Sequence, residues 1–354
     1  MDLDLDLSLE PATLTAALVD VPSVSGEEER LADAIETALY GLDHLAVHRD
    51  GNALVARTRL GLPQRVVLAG HIDTVPIAGN LPSHAEGGLL YGCGSCDMKS
   101  GVAVQLGLAA SLPRPRCDVT YVFYDGEEVE AERNGLLRLS RNAPDLLAGA
   151  FAVLLEPTNG KIEGGCQGTL RAEVRTTGKR AHSARSWNGQ NAIHQAGAIL
   201  DILQSYVPRE PMVDGLKYHE GLNAVFISGG VAHNVIPDEC VVTVNHRFAP
   251  DRTVAQAQQH LRDVFGDFEV EFTDWAAAAR PGLGDPAAAS LLAAVGGTPG
   301  PKFGWTDVAR FAELGMPAVN YGPGDPEIAH SRGEHVPMAQ IAEVEDRLRT
   351  WLTS

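Results

Sequence analysis

The sequence predicts an α/β protein in which a central mixed sheet flanked by helices carries a second, inserted domain. Three observations predict it. Apolar runs of strand length alternate with helix-length segments from about residue 66, the mark of layered α/β structure. At about residue 170 the pattern changes to half-exposed alternation in the order β-α-β-β-α-β, that of a split βαβ (ferredoxin-like) sandwich. After an Ala-, Gly- and Pro-rich return linker at Ala276–Pro286, the first pattern resumes. The predicted domains are therefore 1–170 with 277–354, and 171–276 between them. A length of 354 residues agrees with about two domains.

The elements follow in order. Pro11 suits the first turn of a helix, and Ser25-Gly26-Glu27-Glu28 reads as a capping box ahead of Leu31, Ile35 and Leu39, with Gly41 as the stop. His44–Arg49 and Ala53–Arg59 around Asp50-Gly51-Asn52 read as a hairpin. Val66–Ala69, Val119–Tyr124 and Phe151–Leu155 are apolar runs suited to buried strands, and Lys99–Leu112 to a helix. In the second domain, strands are expected over Thr169–Thr177, Leu222–Ser228, Cys240–Phe248 and Phe268–Thr273, and helices over Asn191–Tyr206 and Asp251–Phe265. The stretch Leu291–Trp351 returns to α/β and ends in a helix.

Lys plus Arg number 28 against 46 Asp plus Glu, a formal charge of −18, which repels nucleic-acid phosphates and anionic membranes. The acidic start MDLDLDLSLE lacks the basic region of a secretory signal, and no apolar run has the length of a membrane span. Five scattered cysteines, Cys93, Cys96, Cys117, Cys166 and Cys240, fit a reducing compartment, so a cytoplasmic protein without disulfides is expected.

Three predicted strands run directly into residue types that bind metal. Val66–Ala69 leads to His71 and Asp73, Val119–Tyr124 to Glu127 and Glu128, and Phe151–Leu155 to Glu156. Asp97 lies in a Gly-rich loop before a helix, and His330 follows the predicted strand Ala318–Tyr321 and a Gly-Pro-Gly-Asp-Pro turn. Ligands gather outside the carboxyl ends of strands in open α/β sheets, so these distant residues can meet. Imidazoles with several carboxylates suit zinc, with cobalt or manganese as substitutes, and a carboxylate-bridged pair suits hydrolysis. Asp73, two residues from His71 on an extended chain, is placed to accept the second ring proton of His71. Neighbouring side chains diverge, so Glu128 is assigned to metal and Glu127 to the attacking water as general base. Each element alone has a commonplace reading as hydrogen-bonded pair, helix start or cap; it is their conjunction that points to a metal pair. Cys93 and Cys96 lack the partners of a zinc ribbon or dithiol site and read as packed loop residues.

At these residues the chain resembles the di-zinc family of aminoacylases, glutamate carboxypeptidases, acetylornithine deacetylases and succinyl-diaminopimelate desuccinylases, over nearly its whole length. Leu68-Ala-Gly-His-Ile-Asp-Thr-Val-Pro76, Tyr91-Gly-Cys-Gly-Ser-Cys-Asp-Met-Lys99, Gly164-Gly-Cys-Gln-Gly-Thr-Leu170, Arg180-Ala-His-Ser-Ala-Arg-Ser186 and Gly304-Trp-Thr-Asp307 are similar to the actinobacterial desuccinylases within it. The resemblance implies two Zn²⁺ per subunit: one on His71, Asp97 and Glu156, the other on Asp97, Glu128 and His330, with Asp97 bridging. It further implies a cis Asp97–Met98 peptide, Glu127 as base, and a homodimer through the inserted domain acting also as a lid. His182 would then stabilise the oxyanion and Asn234 contact substrate in the neighbouring subunit's site. Trp305 stands where the wider pattern has a small hydroxyl residue, leaving Thr306 as the nearest hydroxyl.

The implied reaction is removal of succinate from N-succinyl-LL-2,6-diaminopimelate on the route to diaminopimelate and lysine. An anionic substrate needs local positive charge, for which Arg185 and Arg247 are the candidate carboxylate forks. Two alternatives differ in outcome. An acetylornithine deacetylase or broad N-acyl-amino-acid hydrolase would share the metal ligands, and a catalytically silent binding module would keep metal without turnover.

Overall fold

The computed structural model describes residues 4–354; the first three residues of the acidic N-terminal stretch and of the first predicted domain lie outside them. The chain divides into two compact units. One contains the chain up to Gly164 together with Pro281–Gly300 and Arg310–Ser354; the other is Gly165–Arg280 with Pro301–Ala309.

In the first unit the backbone forms a mixed sheet, eight-stranded among the described residues. The hairpin Leu45–Asp50 and Ala53–Thr58 lies at one edge and pairs antiparallel with Asp118–Tyr124. Next come Arg65–His71, Phe151–Leu154 and Ala318–Asn320, each parallel to its neighbour. Every residue of Asp118–Tyr124 and of Phe151–Leu154 is buried, as expected of strands covered on both faces. The helices Pro11–Val19, Lys99–Ser111 and Met338–Thr353 contribute Leu14, Leu18, Val102, Leu106, Leu348 and Trp351 to one apolar core with Leu68, Val119 and Val153. Because the four parallel strands run the same way, their carboxyl ends share one edge. His71, Asp125, Leu155 and Tyr321 therefore open four neighbouring loops.

The capping box expected at Ser25 does not form. The helix begins at Glu29 with Glu28 as N-cap, Glu28 reaches back to the Gly26 amide at 2.7 Å, and Ser25 Oγ donates instead to Asp73 at 2.7 Å. In a cap the serine oxygen would accept a backbone N–H, whereas here its O–H makes a charge-assisted bond to a buried carboxylate that holds it away from the helix start.

The second unit is a four-stranded antiparallel sheet in the order Gly221–Gly229, Glu239–Phe248, Gly168–Thr177 and Glu269–Ala276. Helices Ala192–Ser205 and Val254–Phe265 pack on one face, burying Ala196, Ile199, Leu261 and Phe265 against Leu170, Val174, Val242 and Val244. Chain order and strand order are those of the split βαβ sandwich. All five cysteines are buried and none forms a disulfide, and no described helix is long and apolar enough to cross a membrane.

Candidate metal centre

The strand Arg65–His71 delivers His71 fully buried, its ring edge-on to Tyr124. Asp97 sits in the turn before Lys99–Ser111, and the Asp97–Met98 peptide is cis. Glu127 and Glu128 occupy the turn after Asp118–Tyr124. Glu156 follows Phe151–Leu154 and is buried; His330 adopts a positive φ of 62° in the long loop after Ala318–Asn320.

These side chains converge. His71 Nε2 lies 3.1 Å from Asp97 Oδ1, whereas His330 Nε2 lies 3.3 Å from Asp97 Oδ2 and 2.8 Å from Glu128 Oε1. The two oxygens of Asp97 thus face different imidazoles. Donor atoms of His71, Asp97 and Glu156 come within 4.8 Å of one another, as do those of Asp97, Glu128 and His330, and those of His71, Glu127 and Glu128. Tetrahedral zinc ligands about 2.0–2.2 Å from the ion are about 3–4 Å apart, so such clusters need only small adjustments to close on a cation. The donor set, imidazole nitrogen and carboxylate oxygen, fits borderline divalent ions.

The electrostatics say the same. Hydrogen bonds to Asp97 and Glu128 push His330 up to about 10, against the opposing effect of its partial burial. Burial alone would lower the pKa of His71, but its interactions with Asp73 and Asp97 outweigh this and hold it well above the ordinary histidine value. For Asp97 burial acts upward, yet the imidazoles of His330 and His71 keep it well below the usual carboxylate range. The negative charge gathered here favours the charged form of both imidazoles, as it would favour a bound cation.

Asp73 does more than the sequence suggests. His71 Nδ1 lies 3.1 Å from the Asp73 backbone oxygen and 3.4 Å from its carboxylate Oδ1. The expected ring contact is therefore made first by the main chain. The carboxylate accepts the amide N–H of Glu127 at Oδ1 and of Glu128 at Oδ2, both at 3.1 Å, besides the Ser25 hydroxyl. One buried aspartate thereby ties the two glutamates to the end of the His71 strand. Two glycines position Glu156 in the same way: a Cβ on Gly101 or on Gly322 would come 2.3 Å from the Leu155 carbonyl oxygen, so only glycine permits both approaches.

The second unit holds the remaining predicted residues. His182 and Asn234 are exposed; His182 ends one strand of the ribbon Ala181–His182 and Val235–Ile236, Asn234 precedes the other, and the Ser183 amide donates to the Asn234 carbonyl at 2.8 Å. His182 Nδ1 accepts from the Ala184 amide, and Arg185 is exposed in the following turn. Arg247 is half-buried on Glu239–Phe248, where burial lowers its pKa. Thr306 is buried, its carbonyl 3.6 Å from Cys166 Sγ, and Trp305 Nε1 donates to the Ala277 carbonyl.

Sequence reading missed Ser25 and Glu334. Ser25 was hidden by a plausible cap pattern, and Glu334, the fourth residue after His330, offers no motif at all.

Residues 67–353 match the profile of peptidase family M20/M25/M40. The chain belongs to that family. A Mycobacterium tuberculosis protein provisionally named succinyl-diaminopimelate desuccinylase DapE is 56% identical over 351 residues, covering 98% of this chain and 99% of the relative. The succinyl-diaminopimelate desuccinylase of Corynebacterium glutamicum is 48% identical over 360 residues, covering 99% and 98%. In fold, the chain is similar to a Bacillus subtilis protein described as a dinuclear metal-binding peptidase of the M20 family. That similarity has a TM-score of 0.70 at 18% identity, covering 97% of this chain and 96% of the other.

Proposed function

We propose that this M20 hydrolase removes succinate from N-succinyl-LL-2,6-diaminopimelate on the route to diaminopimelate and lysine, using two divalent metal ions. The observation that carries the metal reading is the placement of the two Asp97 oxygens against two different histidines, each with its own further carboxylate. His71, Asp97 and Glu156 would hold one ion, and Asp97, Glu128 and His330 the other. Zinc suits these donors, with cobalt or manganese as substitutes. When bound, such ions polarise the amide carbonyl and make water acidic enough to lose a proton near neutral pH.

The protein's own groups supply the remainder. Glu127, within 4.8 Å of donor atoms of His71 and Glu128, takes the proton from the attacking water and returns it to the leaving amine. Asp73 fixes the loop that aims it. His182 is assigned to the oxyanion and Asn234 to substrate, in the site of a second subunit. Arg185 and Arg247 are assigned to substrate carboxylates, with Thr306 as a further polar contact. Dimerisation is supported by the edge strand Gly221–Gly229, whose Val225, Phe226 and Ile227 are exposed beside Ile193 and Leu200 of the neighbouring helix. The unit bearing them is read as the dimerisation and lid domain, and the enzyme as cytoplasmic.

The test is a substrate panel on protein with its metal counted. N-succinyl-diaminopimelate should be turned over at least about 100-fold faster than N-acetylornithine, as buried polar recognition allows, and Glu127→Gln should keep both ions while losing most of kcat. Preference for the N-acetyl substrate would assign a deacetylase instead. Metal binding without any turnover would assign a binding module.

A further inference from the structure

The loops carrying Asp97 and His330 are far apart in sequence, and a buried carboxylate joins them. Glu334 is 1% exposed. Its Oε1 accepts the amide N–H of Cys96 at 2.9 Å and of Asp97 at 3.0 Å, and its Oε2 accepts the amide of Gly94 at 3.1 Å. Its backbone carbonyl also accepts the Gly92 amide at 3.2 Å. Four amides of the segment bearing Asp97 are thus held by one residue of the segment bearing His330. Gly94 makes this approach with φ 79° and no room for a side chain, since a Cβ would meet Thr74 Cγ2 at 2.5 Å. The Asp97 segment also meets the His71 strand without Glu334, because the His71 amide reaches Met98 Sδ at 3.4 Å.

We propose that Glu334 is a positioning residue that sets the spacing between Asp97 and His330, and hence the affinity of the metal position they share with Glu128. This rests on the two-metal reading above. A carboxylate is required because three N–H donors point at two oxygens; a glutamine would turn its own N–H₂ toward one of them. Groups that orient metal ligands typically contribute about 10- to 100-fold in affinity.

The experiment is calorimetric titration of metal-free protein with Zn²⁺, for the full-length wild type, Glu334→Gln, His330→Ala and the double variant. Wild type should bind two ions. In Glu334→Gln one ion should weaken by about 10- to 100-fold and the other by less than about threefold, with kcat restored by excess Zn²⁺ at unchanged KM. In the His330→Ala background, Glu334→Gln should change the remaining ion no further. Fewer than two ions in wild type would defeat the two-metal reading itself. With two ions in wild type, unaltered binding by Glu334→Gln, or equal weakening of both ions, overturns the role given to Glu334. Should Glu334→Gln not fold, Glu334→Asp, which keeps the charge but shortens the reach, is measured in its place. Failure of both to fold would assign Glu334 to stability and equally overturn the proposal.

Discussion

Asp73→Asn should loosen the loop that carries Glu127 and Glu128, and saturating metal keeps any weakening at Glu128 or His71 out of the rate. The carboxylate accepts three hydrogen bonds, from Ser25 Oγ and from the amides of Glu127 and Glu128. An asparagine keeps one acceptor oxygen and directs an amide N–H₂ at one of the two glutamate amides, so a charge-assisted bond becomes donor against donor. Leaving a buried amide donor unsatisfied costs about 1–3 kcal/mol, which is the loop positioning lost. If this appears in the transition state at about 1.36 kcal/mol per tenfold, kcat falls about 5- to 150-fold. KM should stay within about threefold, because Asp73 is assigned no substrate contact. Steady-state hydrolysis of N-succinyl-diaminopimelate at saturating Zn²⁺, with metal content checked, reads both parameters. A kcat within threefold of wild type, or a loss confined to KM, would refute the role given to Asp73.

Further outcomes follow from other parts of the structure. Burial holds the His246 pKa down to about 4 in the folded state. The unfolded chain, with a histidine near 6.5, takes up the proton first as pH falls, so this contribution to stability is complete above about 6.5 and is lost on descending to about 4. The difference of about 2.5 units corresponds to roughly 3 kcal/mol, and His246→Gln should flatten the urea-unfolding stability profile over that range by a comparable amount; an identical slope in both proteins contradicts it. Chelation should abolish hydrolysis, and reloading metal-free protein at neutral pH should release protons from His71 and His330, read as a calorimetric heat that changes with buffer ionisation enthalpy. A buffer-independent heat would count against histidine ligation. Gly101→Ala should cost about 1–3 kcal/mol by overpacking against the Leu155 carbonyl; unchanged thermal unfolding would show that the helix can shift freely.

Much of this was legible in the sequence because hydrophobic pattern and strand-end chemistry act locally. The apolar run at residues 66–69 gave the strand that presents His71, and the β-α-β-β-α-β order gave the second unit's sheet. The candidate metal ligands at strand ends declared themselves because strands sharing an edge run into imidazole or carboxylate. What stayed hidden depends on tertiary contact. Ser25 has the signature of a helix cap, and only the proximity of Asp73, 48 positions on, redirects its hydroxyl. Glu334 accepts amides from residues more than 230 positions earlier, a relation no local pattern can express. The tight passage of Leu155 between Gly101 and Gly322 is invisible for the same reason: a glycine's necessity lies in what would collide with it. The region 301–309 likewise groups with the second unit through space although it follows the return of the chain.

The most direct measurement is anomalous diffraction from crystals of the full chain grown with Zn²⁺, collected at the zinc edge. The account predicts two peaks about 3.5–4 Å apart, the spacing of paired hydrolytic metals, with one oxygen of Asp97 on each, His71 and Glu156 completing the first and Glu128 and His330 the second. A single ion, or two ions of which Asp97 touches only one, would contradict it.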